Sequence, residues 1–345
     1  MYFYPDFQHP NNQRYSLQSC CGTYLNKPGA PGIKRLLLSL FLLAILWPAG
    51  YGQQPSDLSL YMYNNMYFNP GFAGSSGGIA ANALMREQYI GFKDDEGNRL
   101  APRLIFVTLD SPIRKIHGGV GGSILSDQIG FFNNIQVNLG YAFRQELGPG
   151  TLGIGVQLQI DNIKIDFDKY KEHVIDDFDP VITEGEQSDL LLDCNAGIYY
   201  EVPEKFYVGL SAIQLVQPKG KNTWYQHRRT YSLSGGYNFT VPGHPLWAIQ
   251  PSAIIYYDGG AFQWNLSAIL AYKKKYWGGL GYRFQESAII MGGVEIKNFR
   301  IGLAYDVNTT GLNPYNGGSV EVMLGYTFKM ELEKYRKRYK NTRFL

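Results

Sequence analysis

Cysteine is nearly absent from this chain, with three in 345 residues. Cys20 and Cys21 stand close to the start, and only Cys194 follows residue 52. The body of the chain therefore has no pair of cysteines from which to form an intramolecular disulfide. We expect backbone hydrogen bonds and packing to hold the fold together without covalent cross-links.

Charge is also scarce, because only 18% of the residues are Asp, Glu, Lys or Arg. Residues 1–52 carry four of the 32 basic and one of the 29 acidic residues, so 28 of each sign remain after residue 52. Nucleic-acid binding needs a concentrated positive surface, which a neutral body without an internal basic stretch does not supply. The composition argues against nucleic acid as a partner.

No stretch after Gly52 is apolar for the roughly twenty residues that a transmembrane helix needs. The one apolar run lies earlier, from Leu36 to Trp47, after Lys34 and Arg35. Its length and the small residues after it predict a signal peptide at 33–52, cleaved after Gly52; a membrane anchor helix is the alternative. Residues 1–32 fit no targeting element, and we interpret them as a doubtful N-terminal extension or a start-site artefact. A lipoprotein signal at Leu17 to Cys20 is disfavoured because no apolar segment precedes it.

Alternating apolar and polar residues recur throughout the remaining chain, with the two-residue period of β-strands. From Ile135 to Arg144, apolar side chains alternate with polar or very small ones, and segments 152–161 and 320–329 repeat the pattern. About fourteen such segments can be counted, with twelve or sixteen as alternatives. Their centres lie near residues 83, 106, 122, 139, 157, 195, 210, 235, 252, 267, 280, 291, 303 and 324.

The connections between these segments differ in length according to strand parity. They tend to be short after even-numbered strands and long after odd-numbered ones, although the connections after Tyr257 and Phe284 are short exceptions. Transmembrane barrels sort their connections in this way, with short periplasmic turns and long external loops. A soluble β-sandwich has no reason to do so. The predicted fold is an all-β, antiparallel up-and-down transmembrane β-barrel, located in the cell outer membrane and surrounded by outer-membrane lipids.

Aromatic residues near the ends of even-numbered strands predict an interfacial girdle, where an amphipathic ring can contact lipid and water together. The general preference of tyrosine for β-sheets is the alternative explanation. The residues assigned to this girdle are Tyr141, Phe143, Tyr199, Tyr200, Tyr272, Tyr326 and Phe328.

Fourteen strands enclose a lumen that is too wide for their side chains to fill. The inward Gly, Asn, Gln and Ser residues predict either a water-filled lumen or one plugged by another part of the chain. Residues 53–78 are long enough to act as such a plug and are otherwise a periplasmic segment. The barrel is predicted at 79–330, followed by a basic periplasmic tail at 331–345.

Catalytic and metal-binding patterns are missing from the sequence. None of the five histidines stands at a metal-ligand spacing or beside a plausible nucleophile, so we predict no enzyme activity, no catalytic residues, no metal and no cofactor. An outer-membrane hydrolase remains an alternative, because a catalytic triad need not be contiguous in sequence. The acidic stretch from Asp166 to Glu186 could bind calcium, but a solvated external loop is favoured.

The most distinctive motifs lie in the N-terminal third of the body, at Tyr61 to Ser75, Arg86 to Gly91, Ser111 to Pro112, Gly118 to Gly130 and Tyr141 to Arg144. Together they resemble the PorP/SprF family of outer-membrane proteins. The resemblance extends from about Gln54 to Phe328. It implies a non-enzymatic component of type IX secretion and gliding machinery in Bacteroidota, supporting export or surface attachment of a secreted adhesin and contacting periplasmic lipoproteins. The residues predicted from these motifs as possible partner contacts are Tyr61, Met62, Asn64, Asn69, Pro70, Gly71, Ala73, Gly74, Arg86, Gly91, Asp127 and Gly130.

Three alternatives stay open at the level of sequence. The basic residues Lys334, Arg336, Lys337 and Arg338 could form a periplasmic hook for an acidic partner, although a solvated terminus is favoured. A passive porin or hydrophobic-solute channel would share the fold and the compartment and would differ in having an open lumen. A surface β-protein outside the membrane is the last alternative, and it would remain soluble without detergent.

Overall fold

The computed structural model describes residues 57–93, 99–167, 185–310 and 316–329. The predicted signal peptide, N-terminal extension and basic tail, and most of the acidic stretch, lie outside the described residues and stay predictions. Within the described ranges, no helix is both long and apolar enough to cross a membrane.

Fifteen β-strands account for most of the described chain. They are β1 Gly78–Glu87, β2 Arg103–Ile113, β3 Gly118–Ile129, β4 Phe132–Leu147, β5 Gly150–Asp166, β6 Glu186–Val202, β7 Phe206–Ile213, β8 Thr230–Tyr237, β9 Phe239–Thr240, β10 Trp247–Tyr257, β11 Phe262–Tyr272, β12 Tyr276–Arg283, β13 Ser287–Ile296, β14 Phe299–Asn308 and β15 Ser319–Lys329.

The strands form one closed antiparallel sheet. Each strand pairs with its sequence neighbours, except that β8 and β9 do not pair with each other. Strand β1 pairs with β15 from Gly78↔Lys329 to Glu87↔Val320, which closes the cylinder. Strands β8 and β9 pair with the same neighbour, β10, and are separated by Asn238 alone, so they occupy one position in the wall. The barrel therefore has fourteen strand positions, as the alternation predicts. Closure leaves no unpaired edge, which is the condition for a β-structure to span hydrocarbon.

The two faces of the wall differ as the alternation predicts. Leu139, Val156 and Leu158 are 62%, 61% and 51% exposed on the outside of the cylinder. Asn138 and Gln157, their neighbours along the strands, are buried toward the lumen. The outer face of the wall is apolar, and the closed sheet pairs the backbone. Lipid therefore contacts apolar side chains and no unpaired backbone groups.

Connection length follows strand parity, with three exceptions. The long connections are 88–102, 167–185, 214–229 and 309–318, and the odd-numbered positions also have the short connections 130–131, 258–261 and 284–286. We refer to this end of the barrel as the loop face and to the opposite end as the turn face. Short turns lie in the periplasm in outer-membrane barrels, so we infer that the loop face is external.

Strands β4, β5 and β6 have 16, 17 and 17 residues. A strand needs only about 9–11 residues to cross a bilayer. These three strands therefore form a tall wall that extends past the membrane on the loop face.

Aromatic side chains cluster near the turn face. Trp247 and Tyr272 have ring centroids 4.6 Å apart, and Tyr326 lies 4.5 Å from Phe299 and 4.6 Å from Phe328. The assignment of Tyr199 to this girdle is wrong, because Tyr199 is buried in the lumen. Successive residues of a strand point to opposite faces, so Tyr199 and its neighbour Tyr200 cannot both face lipid.

The lumen is occupied by residues 57–77, which we call the lumen segment. It contains a 3₁₀ turn at Tyr61–Tyr63, the short helix α1 at Asn65–Phe68 and a second 3₁₀ turn at Pro70–Phe72. It then runs directly into β1 at Gly78. Side chains of this segment pack against inward side chains of the strands.

Candidate functional site

A buried ionic cluster fixes the start of the lumen segment near the loop face. Arg86 lies 2.8 Å from the Asp306 carboxylate and 3.3 Å from that of Glu321. Arg283 lies 3.1 Å from Asp306. All four side chains are at most 3% exposed. Charges removed from water in this way need partners, and here each arginine neutralises a carboxylate from another strand.

The cluster binds the segment through Ser59 and Leu60. The Glu321 carboxylate accepts the backbone N–H groups of Ser59 and Leu60, each at 2.8 Å. The Ser59 hydroxyl donates to Asp306 at 2.7 Å and accepts from Arg86 at 2.8 Å. Carboxylates with several N–H and O–H donors form strong, charge-assisted bonds. The segment is thus tied to three different strands at one point.

Apolar side chains on both sides of this point supply the remaining anchorage. Leu58, Leu60 and Tyr61 of the segment are at most 1% exposed and pack against inward side chains such as Phe106 and Met323. Full burial of one such side chain is worth roughly 1.5–3 kcal/mol. The middle of the lumen is therefore a packed apolar core, unlike the water-filled interior that the small and polar inward residues also allowed.

Residues 66–74 of the lumen segment, including the turn at Asn69, Pro70 and Gly71, lie against a patch of six wall glycines. We call this patch the glycine floor: Gly119, Gly121, Gly153, Gly155, Gly197 and Gly209. A Cβ at any of the six would lie closer than about 3 Å to an atom of the lumen segment, and several would strike its backbone. Glycine is required at Gly119, Gly153 and Gly155 because only a bare backbone lets another backbone approach this closely.

The Asn69 side chain joins the turn to the wall. Its Nδ2 donates to the carbonyl oxygens of Ile198 at 2.9 Å and Leu210 at 3.2 Å, while its Oδ1 accepts from the Gly71 N–H at 2.8 Å. The first two acceptors belong to neighbouring strands, β6 and β7. One amide therefore satisfies three backbone groups and sets the position of the turn.

We expect Asn69→Ala to lower the free energy of unfolding by about 1–3 kcal/mol, because it leaves buried backbone groups without a partner. Thermal unfolding of the purified protein in detergent would measure the loss. Asn133→Ala is the matched control, since Asn133 is exposed near the loop-face end of β4. Equal stability of the two variants would contradict the role assigned to Asn69.

Further polar contacts hold the end of the segment near the turn face. Asp110 accepts from the Gly74 N–H at 3.2 Å and from the Ser76 hydroxyl at 2.9 Å. Arg144 donates to the Ser75 hydroxyl at 2.5 Å and pairs with Glu201 at 2.6 Å. The segment is thus fixed at both ends and in the middle.

The lumen is not filled completely at the turn face. A cavity of about 550 Å³ opens there, with Tyr63 of the lumen segment among its lining residues. The Tyr63 ring lies 5.0 Å from that of Trp277 and 4.7 Å from the Arg300 guanidinium carbon. The cavity is therefore a vestibule bounded on one side by the segment.

Most residues predicted from the motifs come together in this lumen. Tyr61, Asn64, Asn69, Pro70, Gly71, Ala73, Gly74 and Arg86 are buried, and Met62 is half-buried. Gly91 is exposed on the loop after β1, Asp127 lies on β3 and Gly130 forms the β3–β4 turn. While the segment occupies the lumen, the buried residues have no surface to offer a partner. Their role as partner contacts stays a prediction.

Sequence reasoning missed Ser59, Arg283, Asp306 and Glu321. Each of the last three is a charged residue on the lumen side of a strand. Such a residue in a membrane strand must find a partner, which is a signal the sequence contains. Which partner it finds depends on which strands meet, so the cluster itself could not be read from the chain.

Among the residues that the structure describes, no three His, Cys, Asp or Glu side chains are grouped so that they could hold a metal ion. The polar side chains of the lumen instead bind each other and the segment.

Comparison with protein families adds to this geometry. The family model described as type IX secretion system membrane protein PorP/SprF matches residues 50–326 of this chain. The chain belongs to the PorP/SprF family. The match includes the whole lumen segment and every strand, ending inside β15. Family membership and the closed, apolar-faced barrel identify the chain as an outer-membrane protein of the type IX secretion class.

Solved structures with a similar fold are outer-membrane barrels. The toluene transporter TbuX of Ralstonia pickettii matches with a TM-score of 0.47 and 11% identity, over 81% of this chain and 95% of that one. Omp33 of Acinetobacter baumannii matches with a TM-score of 0.41 and 8% identity, over 73% and 100%. Comparison with proteins of curated function found no match.

Proposed function

We propose that this PorP/SprF protein is a non-enzymatic component of the type IX secretion and gliding machinery that supports export or surface attachment of one partner adhesin. In this proposal the barrel is an anchor and docking platform, linked to periplasmic lipoproteins at its turn face. The observation that carries it is the occupied lumen. A barrel whose centre is packed with its own chain is suited to anchoring other proteins at the membrane and not to passing solutes.

The packed lumen also separates this proposal from the passive channel. A diffusion channel needs a continuous water-filled path. Leu58, Leu60 and Tyr61 instead contact inward side chains from several strands. We therefore expect no resolvable single-channel current from the intact protein in planar bilayers. A steady current would favour the channel alternative.

The direct test is deletion of the coding sequence, followed by complementation. We expect the deletion to block appearance of one large secreted adhesin at the cell surface while other type IX cargo is still exported, and the wild-type chain to restore it. Surface proteomics of intact cells would measure this. Co-purification of the tagged chain with periplasmic secretion lipoproteins is the second readout. Unchanged surface composition would contradict the proposal.

A further inference from the structure

The connection between β7 and β8, residues 214–229, is long, well anchored and positively charged. It carries Lys219, Lys221, His227, Arg228 and Arg229 and no acidic residue. We call it the basic loop. It lies on the loop face, which we infer to be external, and none of the contacts described above uses it.

The basic loop rests against the inner side of the tall β4–β6 wall. His227 is buried between two carboxylates: its Nδ1 lies 2.8 Å from Asp193 and its Nε2 lies 3.2 Å from Asp161. These aspartates lie on the lumen side of β6 and β5, whereas Leu190 and Leu192 of β6 face outward and are 67% and 56% exposed. The loop is therefore placed over the barrel opening and away from the lipid.

A second aspartate of β6 fixes the tip. Asp189 accepts the N–H groups of Asn222 at 2.9 Å and Thr223 at 2.7 Å, together with the Thr223 hydroxyl at 2.7 Å. Within the tip, the Gly220 N–H donates to the Tyr225 carbonyl at 2.7 Å. Contacts within the chain thus fix the conformation of the loop.

Three residues of the loop have backbone conformations that cost free energy. Gln214, Gln217 and Trp224 have φ of 58°, 57° and 58°, a region that residues with a side chain seldom adopt. Such strain persists where surrounding contacts over-determine it, and it is concentrated at binding sites. At Trp224 the strained backbone accompanies a large side chain that is left in water.

The fixed loop exposes an aromatic residue surrounded by positive charge. Trp224 is 64% exposed, and Lys219 Nζ lies 5.1 Å from its ring centroid. Lys221 and Arg228 are exposed on the same loop, and Val216 is 63% exposed. Tryptophan and arginine are the residues most enriched at the energetic centres of protein interfaces. Because the loop is already ordered, binding does not have to supply the free energy of ordering it.

We propose that the basic loop is a docking surface for an acidic, extended segment of a secreted polypeptide, with Trp224 as its apolar anchor. Lipid phosphate would satisfy the same charges, but the loop sits inside the wall while the lipid lies outside it. A polypeptide arriving at the external opening reaches the loop directly, and the positive field would steer an acidic chain toward it. This inference deepens the proposed function and rests on it for the source of the segment.

The test uses the full chain in detergent micelles, with fluorescein-labelled oligoglutamate as the probe and fluorescence anisotropy as the measurement. We expect wild-type binding to weaken as salt rises. The double variant Lys219→Glu/Lys221→Glu should weaken it roughly tenfold or more, and Trp224→Ala by a similar factor. Lys205→Glu on the turn face is the matched control and should bind as the wild type does. Circular dichroism and heat-modifiable gel migration verify that each variant is folded.

Three results would overturn the docking surface. The first is equal oligoglutamate affinity in the wild type and the loop variants. The second is binding of phosphatidylglycerol vesicles that the loop variants lose while oligoglutamate binding stays unchanged. The third is a cross-link from Lys221→Cys to residues 168–184 of the same chain whose yield oligoglutamate does not lower. If the loop variants bind oligoglutamate normally while gene deletion still blocks adhesin display, the docking surface is contradicted and the proposed function is supported.

Discussion

Gly155→Val and Gly197→Val are expected to turn the closed barrel into a conducting one. A Cβ at Gly155 would strike the backbone of Pro70, and one at Gly197 would strike the Asn69 amide. The wall tolerates valine because it is a strong strand former. The turn at Asn69 cannot stay in contact with the wall once a side chain is added there, so the lumen segment has to move instead. We expect single-channel currents in planar bilayers where the intact protein gives none.

The control is Gly278→Val, because Gly278 lies on the outer face of β12 and the nearest atom to its added Cβ is 3.8 Å away. A second readout is the reactivity of Met66→Cys toward a water-soluble thiol reagent, in a Cys194→Ser background. Met66 is 3% exposed in the seated segment, so labelling should be slow unless the segment is displaced. Silent bilayers together with unchanged labelling would show that the glycine floor does not seat the segment.

Arg86→Met is expected to cost about 3–5 kcal/mol of unfolding free energy, because it removes one member of a buried ion pair and leaves charge behind. Glu321 would retain two backbone donors from the segment, but no described cation other than Arg86 pairs with it. Denaturant titration of the detergent-solubilised protein, followed by tryptophan fluorescence, would measure the loss.

Arg86→Met/Glu321→Gln distinguishes a lost charge partner from lost packing. The glutamine removes the unpaired charge while its amide oxygen can still accept a backbone N–H of the segment, so we expect the double variant to recover part of the stability. Lys164→Met is the matched control, because Lys164 and Glu186 form a half-exposed pair and such pairs contribute little. A loss below about 1 kcal/mol for Arg86→Met would mean that the cluster does not hold the segment.

The alternation of apolar and polar residues predicts the fold, because each residue of a membrane-spanning strand faces either the lipid or the lumen. Leu139 faces lipid and Asn138 faces the lumen for reasons that each carries in its own side chain. All fourteen predicted strand positions are present. The error at Tyr199 came from treating neighbouring aromatic residues as a pair, although the pleat separates them, and Tyr199 lies in the lumen 5.3 Å from Phe72 of the segment.

The interior of the cylinder could be predicted only as two alternatives. Residues 53–78 were recognised as long enough to enter it, but length does not say whether a segment finds complementary contacts. The glycines of the floor looked like the small inward residues of a wet barrel. Their function is visible only when Pro70 and Gly71 are seen lying on Gly155 and Gly153.

The amino-acid sequence alone determined the strands, the barrel, the membrane face and the family motifs, because these depend on local periodicity and on neighbours along the chain. The tertiary structure alone decided what fills the lumen and what the basic loop presents. Ser59 and Glu321 are 262 positions apart, and Asp193 and His227 are 34 apart. Contacts of that kind exist only after the wall has closed and brought distant strands around one segment.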